Sequence, residues 1–174
     1  MSVLNIVLFP DEPLTRKAEP YAQIGPEVAR LAEDMVETMH AMDGVGLAGP
    51  QVGVSKRIFV YQEPDGEPRC LVNPEIVVME GREDGEEGCL SMPRVYSDRV
   101  PRATYVRIKG LDETGAPVEL EARDFLARII QHEYDHLDGI LFPERLDIIS
   151  REAVLQEWQA VRAELLSGSA ARPE

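Results

Sequence analysis

The pattern H-E-x-x-H, formed by His132, Glu133 and His136, constrains the fold of this chain more than any other feature. On an α-helix, residues four apart lie on one face, so both imidazoles would point at a single metal ion, with the carboxyl of Glu133 beside them as a general base. Phe125 and Ile129 precede the histidines at helical spacing, which predicts that the histidines continue the buried stripe of that helix. A pair of hydrogen-bonded core histidines is the alternative, and we disfavour it because each buried imidazole would need a separate partner.

The rest of the chain predicts an α+β fold in which largely antiparallel sheets pack around the metal-binding helix, with an amphipathic N-terminal helix and a C-terminal helix. The predicted elements are a helix from Pro26 to Gly44, strands at 57–63 and 70–80, a hairpin with strands near 104–108 and 118–122, a helix that Asp124 caps and Gly139 ends, and a last helix from about Ser150 that buries Val154, Trp158, Val161 and Leu165. We expect one catalytic domain over residues 1–166 and a flexible tail at 167–174. A chain of 174 residues can fold around one core without a structural metal, so a metal here would serve chemistry.

Charge and cysteine content narrow the environment in which the protein works. The net charge is −14, which disfavours binding of the general surface to nucleic acid or to anionic membranes. The first ten residues have no cationic flank and only a short apolar run, so we expect no signal peptide, no membrane span and a cytoplasmic protein. The two cysteines, Cys70 and Cys89, fit free thiols or ligands better than a disulfide scaffold.

The identity of the third metal ligand separates the possible classes of protein. The longer metalloprotease pattern needs a histidine where this chain has Phe142, although a protease that uses Glu152 or Glu157 stays open. Cys89 is the better third ligand, since one thiolate and two imidazoles suit zinc or ferrous iron and leave a fourth position for water. A structural zinc domain is disfavoured because no second cysteine or fourth histidine lies at ligand spacing.

The glycine-rich loop at residues 44–53 has two interpretations. A phosphate-binding loop is disfavoured, because the Gly-Lys-Ser/Thr ending is missing and a strand is predicted to follow. The loop is better suited to offering backbone groups to an extended peptide, with Gln51 pointing inward.

Three segments together resemble a known family. Gly44–Gln51 (GVGLAGPQ), Glu87–Ser91 (EGCLS) and Gln131–His136 (QHEYDH) resemble, in this order, the three motifs of the peptide deformylases. The resemblance extends to about Asp147. One departure is Gly49, where the family usually has alanine, and the glycine is expected to add backbone freedom to the loop.

The resemblance implies removal of the N-formyl group from the initiator methionine of newly made polypeptides, with release of formate. It implies metal ligation by Cys89, His132 and His136, general acid/base catalysis by Glu133, and oxyanion contacts from the Gln51 side chain and the Leu90 backbone N–H. In that mechanism a metal-bound water loses a proton to Glu133 and attacks the formyl carbon.

The remaining predictions concern the cofactor, the substrate pocket and the partners. The cofactor would be one divalent ion, with Fe2+ expected first and Zn2+, Ni2+ or Co2+ as alternatives. Val45, Phe125 and Ile129 are expected to wall an apolar pocket for methionine, and Gly46 to contact the peptide. After residue 150 there are three basic and four acidic residues, so we expect at most a weak ribosome contact through protein and no direct binding of nucleic acid.

Overall fold

The computed structural model describes residues 1–170, which form three α-helices and seven β-strands. In chain order these are α1 (Pro26–Ala41), β1 (Gly46–Ala48), β2 (Ile58–Tyr61), β3 (Arg69–Glu80), β4 (Glu83–Cys89), β5 (Met92–Arg102), β6 (Tyr105–Leu111), β7 (Pro117–Arg123), α2 (Asp124–Leu137) and α3 (Ile148–Ala170). Short 3-10 turns cover Gly49–Val52 and Phe142–Arg145. The architecture confirms the predicted α+β class, and none of the described helices is long and apolar enough to span a membrane.

The strands form two separate antiparallel sheets. Five of them pair in the order β1-β2-β3-β6-β7, while β4 and β5 form a two-stranded hairpin. Strand β1 is therefore an edge strand that pairs with β2 on one side only. The β4–β5 hairpin has no counterpart among the predicted elements, because its first strand is a run of acidic residues without apolar alternation.

The five-stranded sheet lies between α1 and α2. Alternate residues of its first strands face opposite sides, since strand side chains have a period of two. Leu47, Ile58 and Val60 are buried against α1, whereas Phe59 and Leu71 belong to the core beneath α2. Strand β1, which lies within the glycine-rich loop, packs against α2, so the loop lies next to the helix that carries the histidines.

Helix α2 begins one residue earlier than predicted. Asp124 is the first helical residue and makes no side-chain cap, so its predicted capping role is wrong; Arg123 occupies the N-cap position instead. Gly139 has a φ of 75°, the left-handed conformation that ends the helix as predicted. Phe125 is 50% exposed, which corrects its placement on the buried stripe, whereas Ile129 is buried.

Helix α1 ends at Ala41, three residues before the predicted stop at Gly44. The left-handed residue is Asp43, with a φ of 54°, and the amides of Met42 and Gly44 bond back to carbonyls of the last helical turn. The buried face of α1 is the predicted one and includes Val28 and Met35.

Helix α3 packs on its own domain, as its apolar stripe predicts. Val154, Trp158 and Val161 are buried in a core with β5 and the N-terminal segment, and Trp158 Nε1 donates a 2.9 Å hydrogen bond to the Phe9 carbonyl. The helix continues to Ala170, so the first residues of the predicted tail are helical. Residues 171–174 of that tail lie outside the described part of the chain.

Candidate active site

Two elements bring three potential metal ligands together. Cys89 ends β4, and His132 and His136 lie one turn apart on α2. One ligand atom from each residue lies within 4.8 Å of the others, and Cys89 Sγ is 3.3 Å from His136 Nε2. Within residues 1–170, no other group of histidine, cysteine or carboxylate side chains has this arrangement.

The donor set fits a divalent transition metal. One thiolate and two imidazoles suit zinc or ferrous iron and leave a coordination position for water or substrate. Burial lowers the pKa of His136 well below its usual value, so this imidazole is neutral and its nitrogen lone pair is available. Glu152 and Glu157 are exposed on α3 and belong to no such cluster, which removes the basis for a glutamate-ligated protease.

Glu87 orients one of the histidines, a role that sequence patterns did not suggest. Its Oε1 lies 2.7 Å from His132 Nδ1, which leaves Nε2 of the same ring to face the cysteine. Burial alone would raise the pKa of Glu87, but hydrogen bonds from Arg102 and His132 hold it well below its usual value. The Glu87 carboxyl is therefore ionised and accepts the imidazole N–H.

Glu133 lies beside the cluster as an isolated buried carboxyl. The residue is 4% exposed, and its Oε2 has no hydrogen-bond partner among the described residues. Burial raises the pKa of Glu133 to about 7. A carboxyl in this range can accept a proton near neutral pH and return it later.

Gly46 explains how the Glu133 carboxyl fits against strand β1. A Cβ atom at position 46 would lie 2.8 Å from Glu133 Cδ and closer still to its Oε1, far inside van der Waals contact. The first glycine-rich motif therefore makes space for the carboxyl of the third motif.

Gln51 presents its amide nitrogen to the same site. Its Oε1 accepts a 2.9 Å hydrogen bond from the Ala48 backbone N–H, which fixes the amide orientation. Its Nε2 then points at Ser91 Oγ, 3.2 Å away, and at Cys89 Sγ, 3.5 Å away. Because Gln51 is 1% exposed, this donor is held in place by the fold.

Gly49 allows close packing of the glycine-rich loop. Its φ does not lie in the left-handed range, but a Cβ there would lie 2.9 Å from the carbonyl oxygens of both Val54 and Lys56. The missing side chain lets the following segment close directly on this position, and the expected gain in backbone freedom stays a prediction.

The cluster opens into a cleft of about 900 Å³. Leu90 lines it, as do all four residues predicted to contact substrate: Val45, Gly46, Phe125 and Ile129. Sequence reasoning missed Met42, Tyr96 and Leu166, which are exposed apolar side chains that also line the cleft. The cleft therefore combines the polar, buried side chains of the cluster with an apolar rim.

The comparisons with known proteins agree with this geometry. The family model described as polypeptide deformylase matches residues 3–152, which include every residue of the cluster. The chain belongs to the peptide deformylase family. Like the other members of this family, it is a metallohydrolase. The function of the family is removal of the N-formyl group from nascent polypeptides.

Individual relatives extend the similarity to nearly the whole chain. A peptide deformylase of Chromohalobacter salexigens is 46% identical over 162 residues, covering 91% of this chain and 95% of the relative. The crystal structure of a peptide deformylase from Thermus thermophilus is 48% identical, with a TM-score of 0.87, over 95% of this chain and 96% of that one. A crystal structure of a Legionella pneumophila peptide deformylase has a TM-score of 0.89 at 37% identity and covers 99% of this chain and 100% of that one.

Proposed function

We propose that Cys89, His132 and His136 hold one divalent metal ion and that Glu133 is the general acid/base for hydrolysis of N-formylmethionyl peptides. The observation that carries this proposal is the convergence of three ligand atoms within 4.8 Å beside a buried, otherwise unpartnered carboxyl. A thiolate and two imidazoles would leave the ion open on the cleft side, where a formyl group can reach it.

The bound ion and the residues around the cluster would each take a different role in the reaction. A divalent ion bound there would supply a Lewis acid that polarises the formyl carbonyl and lowers the pKa of a coordinated water. Glu133 would take a proton from the attacking water and later give it to the leaving amine, for which a pKa near 7 is well matched. Gln51 Nε2 and the Leu90 backbone N–H would donate to the developing oxyanion, a contribution of about 3 kcal/mol for one well-placed donor.

The metal is proposed to be Fe2+, with Zn2+, Ni2+ and Co2+ as alternatives that the same ligands accept. The mixed sulfur and nitrogen donor set suits all four ions, so occupancy depends on supply as well as on affinity. Metal analysis after anaerobic purification tests this assignment, with iron expected in excess of zinc and nickel.

The cleft supports a peptide substrate with an N-terminal formylmethionine. Phe125, Ile129 and Val45 would contact the methionine side chain, whose flexibility and polarisable sulfur suit an apolar slot. The free edge of β1, which includes Gly46, offers backbone hydrogen bonds to an extended peptide.

Nascent chains are the proposed partners, met in the cytoplasm where they are made. Contact with the ribosome would be weak and through protein, because α3 uses its apolar stripe for packing within the domain and carries a balanced charge. Direct nucleic-acid binding and membrane binding are not part of the proposal, since the chain carries a net charge of −14.

The proposed role of Glu133 is tested by Glu133→Gln in the metal-loaded protein. The variant should keep its metal, because glutamine preserves shape next to the ligands, but lose at least about 10²-fold in kcat. Glu157→Gln, on the exposed face of α3, is the matched control and should turn over normally. Near-normal formate release by Glu133→Gln would show that another group moves the proton.

A further inference from the structure

The two elements that carry the three ligands are joined by a closed ring of buried ionic hydrogen bonds. The ring runs from His132 to Glu87, from Glu87 to Arg102, from Arg102 to Asp135, and back along α2 to His132. His132 Nδ1 lies 2.7 Å from Glu87 Oε1. Arg102 binds Glu87 with two hydrogen bonds, of 2.8 and 2.9 Å, and donates a third, of 2.6 Å, to Asp135. His132 and Asp135 are three residues apart on α2, so the ring closes over less than one helical turn.

Outer arginines occupy the remaining carboxylate positions. Arg128 donates to Glu87 Oε2 at 2.7 Å, and Arg145 donates to both oxygens of Asp135 at 2.6 and 3.0 Å. Each of the four carboxylate oxygens in the ring therefore has a charged donor. Neither carboxylate is free to rotate, so the hydrogen bond that orients the His132 ring has one geometry.

Burial makes stability a poor explanation for this arrangement. The side chains of Glu87, Arg102 and Asp135 are 5%, 4% and 8% exposed. Desolvation of such charges offsets most of their mutual attraction, and apolar replacements of buried ion pairs are often as stable as the originals. What the ring supplies instead is a fixed geometry between the hairpin that carries Cys89 and the helix that carries the histidines.

We propose that Arg102 is a positioning residue which sets the separation between Cys89 and the two histidines, and so determines how tightly the site holds its metal. The inference rests on the metal-binding role proposed above for these three ligands. Arginine is needed because one planar guanidinium reaches both carboxylates at once, with two parallel bonds to Glu87 and a third to Asp135. A lysine ammonium keeps the charge but cannot reproduce that fork.

The test compares Arg102→Lys and Asp135→Asn with wild type, all loaded with Co2+. Thiolate-to-cobalt absorption reports on the bond to Cys89, and transfer of Co2+ to excess chelator gives the release rate. Both variants should release Co2+ about 10- to 100-fold faster, the usual effect of losing an outer partner of a metal ligand, with an altered thiolate band. Arg57→Lys is the matched control: Arg57 is 11% exposed and pairs with Asp138 just beyond α2, outside the ring. It should lower the unfolding temperature without changing the band or the release rate.

Two results would overturn the proposal. One is wild-type release from both ring variants while circular dichroism shows them folded. The other is equal acceleration in Arg57→Lys, which would mean that any loosening of α2 releases the metal. Asp135→Asn keeps the shape of the side chain but removes its charge and one of its two accepting oxygens, so it disturbs the ring from the other side and keeps the comparison available if Arg102→Lys folds poorly. Failure of the proposed function is seen separately, as a wild-type protein without a thiolate band or without formate release from a formyl-Met peptide.

Discussion

Gly46→Ala probes the contact between the first motif and the Glu133 carboxyl, the proposed general acid/base. The added Cβ would lie 2.8 Å from Glu133 Cδ and closer still to Oε1, where ordinary contact begins at 3.4 Å. The carboxyl group must therefore move by about 1 Å, which is enough to cost about 10²-fold in rate when a reacting group is misplaced. The clash is with the end of a flexible side chain, so the strain should stay within about 1–3 kcal/mol and the domain should remain folded.

The assay is steady-state formate release from a formyl-Met peptide, with circular dichroism and metal content measured on the same sample. We expect kcat to fall by about 10²-fold with metal content unchanged. Gly66→Ala, in the turn between β2 and β3, is the control: its Cβ would approach no atom closer than 3.3 Å and lies outside the cleft. An unchanged kcat with a raised KM would refute the reasoning, because it would mean that Gly46 only lets the peptide pass.

Three further predictions concern the metal, the substrate and the ribosome. Cys89→Ala should lose its metal and activity while its circular dichroism stays unchanged, because the hydrophobic core does not depend on the ion; full metal occupancy in this variant would contradict the ligand assignment. Peptides beginning with formyl-Asp should show a far lower kcat/KM than those beginning with formyl-Met, since burying a carboxylate against Phe125 and Ile129 is costly; equal values would exclude an apolar pocket. Protein-free ribosomal RNA should show no tight, salt-sensitive binding in a titration against ionic strength; such binding, lost on truncation at Ser150, would contradict the proposed role of α3.

Local spacing and side-chain chemistry were enough to predict that Cys89, His132 and His136 come together. The grouping of His132, Glu133 and His136 could be predicted from helix geometry alone. Cys89 lies more than forty residues earlier in the chain and was predicted from the chemistry of thiolate as a metal ligand. Strands β6 and β7 were predictable because their apolar residues recur at every second position, whereas β2 and β3 were predicted from their content of β-branched and aromatic residues and the turn between them.

The parts that sequence patterns missed depend on contacts between distant segments. Glu87 and Arg102 are 15 residues apart and Arg102 and Asp135 are 33 apart, and in the sequence each resembles an ordinary surface charge. Only their burial together reveals the ring. The one available signal was the position of Glu87 two residues before Cys89, inside a motif.

Helix boundaries and exposure also depended on tertiary structure. Helix α1 was expected to end at Gly44, but it ends three residues earlier, and Asp43 adopts the left-handed conformation. Phe125 has helical spacing with the histidines, but it lies in the first turn of α2, where the helix borders the open cleft instead of the core. Periodicity identifies a face of a helix, but it does not say where the neighbouring element stops.

Formate release from a formyl-Met-Ala-Ser peptide by anaerobically purified, metal-loaded protein tests the central claim most directly. We expect one formate and one free methionyl peptide for each substrate consumed, with activity lost on chelation and restored by Fe2+. Cleavage of an internal peptide bond, or absence of formate from protein whose metal is bound by Cys89, His132 and His136, would contradict it.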